Sequence, residues 1–207
     1  MTRTFAIAAV AVLAAILGGI GAALLLAPDR DSAFAQCRGA AVAGDIGGPF
    51  ELVSETGEPV TDETVITRPT LVYFGYTFCP DICPFDAVRN ADAVDLLAEA
   101  GHDVQAVFIS VDPGRDTPEA LAHFTDLIHD DMLGLTGTEE QVAAAADAYR
   151  AFYNVRDDEA EDGFYLVDHS AFTYLVLPEH GFVDFFRRDA SAADMATRTA
   201  CFVDAAA

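Results

Sequence analysis

Two nearly uncharged runs rich in β-branched and aromatic residues, Thr70–Tyr76 (TLVYFGY) and Val104–Val111 (VQAVFISV), do most to limit the folds open to this chain. Neither alternates strictly between apolar and polar. Each therefore reads as a strand covered on both faces, as in the centre of an α/β sheet. Between them, Pro84–Ala100 carries apolar residues at helical spacing (Val88, Ala91, Val94, Leu97 and Ala98), and Gly101 stands where a left-handed residue ends a helix. Strand, helix and strand in this order argue for an α/β sheet.

The flanking sequence continues the alternation. Phe50–Val53 followed by Glu55-Thr56-Gly57-Glu58 predicts a strand entering a tight turn, so a short hairpin opens the domain. Thr117-Pro118-Glu119 opens a helix running to about His129, with Thr as N-cap and Pro at its first position. A short strand is expected near Leu133–Leu135, and Thr138 caps an Ala-rich helix ending near Tyr153. The acidic run Asp157–Asp162 is expected as a solvated loop. Phe164–Val167, Ala171–Leu177 and Phe182–Phe186 are expected strands, with a turn at Glu179-His180-Gly181, and residues 191–203 form a closing helix. The expected fold class is α/β, in a thioredoxin-like order with an added N-terminal hairpin and an inserted helix.

Residues 5–27 hold no charged or polar side chain. As a helix they would span roughly 34 Å at about 1.5 Å per residue, enough for a bilayer. Ala33-Phe34-Ala35 resembles a signal-peptidase site, but the apolar run is longer than a secretory h-region, so an uncleaved anchor is the expectation. The expected organisation is an anchor over residues 1–27, a linker over 28–45 and one domain over 46–207, with the domain exported. The 34 acids face 11 basic residues, all Arg, for a net charge of −23. A surface of that sign repels phosphate backbones and anionic lipid headgroups, so nucleic acid is not expected as a partner.

In an oxidising compartment each cysteine is a bridge, a redox group or a ligand. Cys79 and Cys83 lie between a buried strand and a helix, in Cys79-Pro80-Asp81-Ile82-Cys83. A cysteine at a helix N-terminus is acidified by the free N–H groups there. Two such sulfurs on one face form a disulfide or grip one soft metal ion such as Cu(I) or zinc. A structural disulfide or a pair of core thiols is the plainer alternative. Among His102, His123, His129, His169 and His180, only His169 stands between two expected strands at the loop edge of the sheet. Cys37 and Cys201 either bridge the linker to the last helix or leave Cys37 free. Asp112, Arg115 and Asp116 are expected to shape the loop that carries them rather than to do chemistry.

Three runs together resemble the SCO/SenC family: Tyr73-Phe74-Gly75-Tyr76-Thr77-Phe78-Cys79-Pro80-Asp81-Ile82-Cys83-Pro84, Val111-Asp112-Pro113-Gly114-Arg115-Asp116-Thr117-Pro118-Glu119 and Val167-Asp168-His169-Ser170. The resemblance covers about residues 45–203. It implies a thioredoxin-like domain facing the periplasm from a bacterial inner membrane, or an equivalent compartment. It also implies copper bound by Cys79, Cys83 and His169, as Cu(I) with Cu(II) left open. The implied role is a metallochaperone delivering copper to the CuA centre of cytochrome c oxidase subunit II. The alternative role is a thiol–disulfide reductase of that subunit's cysteines, with Cys79 as nucleophile and Cys83 as resolver, or a redox or copper sensor. An oxidised Cys79–Cys83 disulfide cannot bind the metal, so a separate thioredoxin-like reductant is an expected partner. The three-residue spacing and the missing Trp argue against an ordinary thioredoxin-type enzyme. A peroxidase would need a Pro-x-x-x-Thr/Ser-x-x-Cys arrangement that the chain lacks.

Overall fold

The computed structural model describes residues 16, 18, 34–38, 46–156 and 164–207. All of the expected anchor but residues 16 and 18, most of the linker and the acidic run 157–162 lie outside the described residues, among which no helix is long and apolar enough to cross a membrane. The chain divides into Met1–Gln36 and Cys37–Ala207, and every strand and helix named below belongs to the second unit.

That unit is a mixed α/β fold. A hairpin of β1 (Glu51–Ser54) and β2 (Pro59–Thr61) leads through a single helical turn, α1 (Asp62–Val65), into β3 (Thr70–Gly75). Next come α2 (Ile82–Glu99), β4 (Gln105–Ser110), α3 (Pro118–Asp126), β5 (Leu133–Thr136) and α4 (Glu139–Ala148). Two short strands, β6 (Tyr153–Val155) and β7 (Val167–His169), precede β8 (Thr173–Leu177), β9 (Gly181–Phe186) and α5 (Ala192–Ala206). The main sheet has the order β2-β1-β5-β4-β3-β8-β9. Its centre is parallel (β5, β4, β3), and both flanks are antiparallel.

Every residue of β3, β4 and β8 is buried, which explains why their sequences show no alternation. The core gathers around Leu71, Phe74, Phe108, Ile109, Leu175 and Phe186, each at most 1% exposed. At the C-terminal end of β3 the chain must be glycine. A Cβ on Gly75 would lie 2.9 Å from the rings of both Phe108 and Tyr73. Gly101 closes α2 at φ +88°, with its N–H bonded to Ala98 and that of His102 to Leu97. Thr117 and Thr138 cap α3 and α4 as expected, each accepting a backbone N–H on its hydroxyl.

Helices α2 and α5 pack side by side and run parallel. Arg188, just before α5, pairs with Asp86 in the first turns of α2, at 3.2 Å. His102, just after α2, lies 3.8 Å from Asp204 near the end of α5.

Several expected elements are displaced. The Ala-rich helix ends at Ala148 rather than Tyr153, because Arg150 takes a left-handed φ of 52° and turns the chain out. Tyr153 instead begins β6. The strand expected at Phe164–Val167 starts only at Val167, since Phe164 and Leu166 are 58% and 40% exposed and lie outside the ladder. His169 consequently ends a strand, paired across the ribbon with Tyr153, rather than riding on a loop. Helix α2 starts at Ile82, so Cys79 precedes it and Cys83 is its second residue.

Candidate metal centre

Strand β3 delivers the chain to the edge of the sheet, and Tyr76–Asp81 turn it into α2. The N-cap residue Asp81 makes no side-chain cap, so the first N–H groups of α2 need other acceptors. The Cys79 sulfur supplies one, accepting the N–H of Cys83 at 3.4 Å. Pro84 fits the first turn because no N–H is required of it there. This local geometry folds Cys79 back over the helix end and sets its sulfur beside that of Cys83.

His169 arrives from the β6–β7 ribbon. Its Nε2 lies 3.1 Å from Cys83 Sγ, and its Nδ1 lies 3.1 Å from the carbonyl of Ser170. A carbonyl only accepts, so Nδ1 carries the proton, leaving the Nε2 lone pair aimed at the sulfurs. The ring stands edge-on between Tyr73 and Tyr76, at centroid distances of 6.1 and 5.8 Å. The two sulfurs and the imidazole nitrogen lie within 4.8 Å of one another. With metal–ligand bonds of about 2.0–2.3 Å, a small contraction would bring all three onto one ion. Two thiols and an imidazole form a soft donor set, suited to Cu(I) or zinc and ill-suited to magnesium or calcium.

The two cysteines are both free thiols, yet they differ in acidity. The Cys83 thiol hydrogen-bonded to it, more than any other contact, brings Cys79 down to about 3; the N–H groups of Cys83 and Asp81 add to this against the cost of burial. Cys83, at 0% exposure, is pushed up by burial first and by its bond to Cys79 second. The pair therefore holds one proton, on Cys83, beside a thiolate at Cys79. Burial also raises Tyr76 to about 12, so it stays a neutral wall of the site.

The remaining residues singled out in the sequence are elsewhere or do other work. His123 and His180 are exposed on α3 and on the β8–β9 turn, while His129 lies 3.2 Å from Asp95. Cys37 and Cys201 are joined as a disulfide with Cα atoms 5.6 Å apart. Asp116, fully buried, accepts from Thr77 N at 2.9 Å, Thr77 Oγ1 at 2.6 Å and Ser110 Oγ at 2.6 Å. It thus pins the strand-to-helix turn to the end of β4. Asp112 accepts from Arg115 Nε at 2.5 Å and from the Tyr165 hydroxyl at 2.7 Å. These residues shape the loops around the thiols. The sequence reading gave no role to Tyr73, Tyr76 or Tyr165. For Tyr73 and Tyr76 the signal available was their presence within the first motif; Tyr165 lies just before the third.

An α/β domain of thioredoxin type with two unpaired thiols and an imidazole at the N-terminus of its first long helix is a metal or redox domain. The family model described as SCO1/SenC matches residues 38–204, and the chain belongs to that family. It is 55% identical to "Protein SenC" of Rhodobacter capsulatus over 99% of this chain and 92% of that protein. Among solved structures it is similar to Arabidopsis thaliana ScoI with copper bound, at 39% identity and a TM-score of 0.72, covering 77% of this chain and 99% of that one. It is also similar to yeast Sco1 with copper bound, at 33% identity and a TM-score of 0.73, covering 78% and 90%.

Proposed function

We propose that the protein is a membrane-anchored copper carrier of the periplasmic side of a bacterial inner membrane, handing copper to the CuA centre of cytochrome c oxidase subunit II. Cys79, Cys83 and His169 are the proposed copper ligands. The observation that carries this reading is the approach of two free thiols and one Nε2 lone pair to within 4.8 Å at a helix N-terminus. The copper-bound relatives support the choice of metal. With Cys79 already a thiolate, the metal has one proton to displace rather than two, which favours loading near neutral pH. Two thiolates and an imidazole leave a Cu(I) ion open to attack by a partner thiolate, so transfer can proceed by ligand exchange.

A second reading, a thiol–disulfide reductase acting on the subunit's cysteines, is favoured by the unequal thiols. In that role the Cys79 thiolate attacks a substrate disulfide and displaces one sulfur. Cys83 then loses its proton, attacks the mixed disulfide, and leaves as Cys79–Cys83 while the substrate departs with two thiols. A separate dithiol protein of thioredoxin type would regenerate the pair.

Cu(I) titrations of the reduced protein and of Cys79→Ser, Cys83→Ser and His169→Ala test the first reading. Each variant is expected to lose at least about tenfold in affinity, and His169→Ala should still form the Cys79–Cys83 disulfide. Passage of the metal from loaded protein to a CuA-domain fragment is the expected functional result. If the fragment's disulfide is reduced but no copper moves, the reductase reading takes over.

A further inference from the structure

We propose that Arg115 is a positioning residue for the candidate copper site, clamping the ribbon that carries His169 to the loop that carries Cys79. The inference rests on the copper reading above.

The β6–β7 ribbon shares no ladder with the seven-stranded sheet. The end that carries His169 is closed by Ser170 N, which donates to the Phe152 carbonyl at 2.8 Å, and the chain then enters β8. The opposite end, where the chain runs into Val167 and on to His169, has no such continuation into the sheet. Tyr165 stands there, two residues before β7, and Arg115 grips it. Arg115 Nη1 donates to the Tyr165 carbonyl at 2.9 Å, and its guanidinium carbon lies 3.5 Å over the Tyr165 ring centre. Arg115 Nε donates to Asp112, whose other oxygen accepts the Tyr165 hydroxyl at 2.7 Å, so a closed circuit of three side chains results.

The same guanidinium also meets the thiol-bearing loop. It lies 5.0 Å from the ring centre of Phe78, the residue before Cys79, and 5.8 Å from that of Tyr76, whose ring meets His169 edge-on. One planar cation therefore touches both segments that supply donors. Asp112 is 2% exposed and the Arg115 side chain 13%, so the clamp is a desolvated, fixed pair rather than a mobile surface one. Among the described residues, Arg156 pairs with Asp168 at 2.6 Å, which joins the ribbon to itself. Arg115 bonds to no donor atom of the site, so its effect must pass through the placement of His169.

A lysine would keep the charge but lose the flat face and the second N–H that make the clamp. Arg115→Met and Arg115→Lys are therefore both expected to weaken Cu(I) binding, by about tenfold as for other groups that orient a ligand. The test is a double-mutant cycle of each variant with His169→Ala, read by competition with a coloured Cu(I) chelator. Circular dichroism reports folding, and the alkylation rate of Cys79 reports the thiol loop. The proposal requires that the Arg115 substitution cost affinity when His169 is present and nothing further when it is absent, with Cys79 reactivity unchanged. An equal loss in both backgrounds would mean general loosening of the thiol loop and overturns it, as would no loss at all. Wild-type affinity in Arg115→Lys would also overturn it, and that variant alone decides if the Met variant does not fold. A wild-type protein that binds Cu(I) no better than His169→Ala removes His169 from the site, and the proposal falls with it, whereas a wild-type protein that binds no Cu(I) removes the copper reading itself. That outcome is visible before any Arg115 variant is measured.

Discussion

The sulfur of Cys79 occupies the place of a helix cap, taking the N–H of Cys83 and a hydrogen bond from the Cys83 thiol, while Cys83 itself is sealed in the core. Position, rather than spacing in the motif, makes one a thiolate and leaves the other protonated. An ordinary thiol reacts about tenfold faster for each pH unit between 6 and 8, because its thiolate fraction grows in that proportion below a pKa near 8.5. Cys79, brought down to about 3, is already ionised across that range. Its alkylation by iodoacetamide in the reduced protein should therefore be flat from pH 6 to 8, as followed by peptide mass spectrometry. A tenfold rise per unit would show that the thiolate is not preformed. Cys83 should stay almost unlabelled over the same interval, since burial works against its ionisation.

At the scale of elements, the site is a junction of the β3–α2 turn, the loop after β4 and the β6–β7 ribbon at one edge of the sheet, and a buried carboxylate fastens the first two. Removing it in Asp116→Ala would strand Ser110 Oγ and both donors of Thr77. Each unsatisfied buried donor costs about 1–3 kcal/mol, so a loss of at least about 2 kcal/mol is expected in urea unfolding. A change well under 1 kcal/mol would mean that water replaces the carboxylate. Much of this framework was legible beforehand. The unbroken apolar runs of β3 and β4 reflect burial on both faces, Ala91, Val94 and Leu97 mark the covered face of α2 while Val88 and Ala98 fall outside it, and Gly101 marks a left-handed stop. The ribbon was not legible. Tyr153-Asn154-Val155 is three residues long with an exposed centre, too short to show any period. The apolar Phe164 and Leu166 look like strand residues but face outward. The approach of His169 to Cys83 joins residues 86 positions apart, and no local pattern encodes such a contact. Only the motif resemblance pointed to it. Of the Arg115 circuit, Asp112 and Arg115 were likewise visible as motif residues without a geometry, and Tyr165 lay outside the runs.

Across the whole domain, the two cysteine pairs lie toward opposite ends of α2 and α5. Cys83 stands at the first turn of α2, whereas Cys201 is one turn before Asp204, which meets His102 beyond the other end of α2. The helix between them spans roughly 25 Å. The Cys37–Cys201 disulfide closes a loop with a sequence separation of 164, for which the chain-entropy model allows roughly 5 kcal/mol before strain and residual structure reduce it. Cys201→Ser should therefore lower the melting temperature by roughly 5–10 °C. It should leave Cu(I) affinity within about twofold of wild type, because the bond is remote from the donor atoms. A parallel loss of copper affinity would show that the two ends of the domain are coupled.

If, as proposed above, the Phe5–Ala27 run spans a bilayer, the same bond also sets the length of a leash. The chain becomes fast to the domain at Cys37 instead of running free to β1. About ten residues then separate the apolar run from the point of attachment, a span of at most about 36 Å, against more than twice that if slack ran on to Phe50. The volume a tethered body can search grows as the cube of its leash, so the disulfide confines the domain to on the order of a tenth of the space it would otherwise sweep. On that proposal, a copper acceptor fixed in the same membrane and within that shorter radius would meet the domain at an effective concentration higher by the same factor.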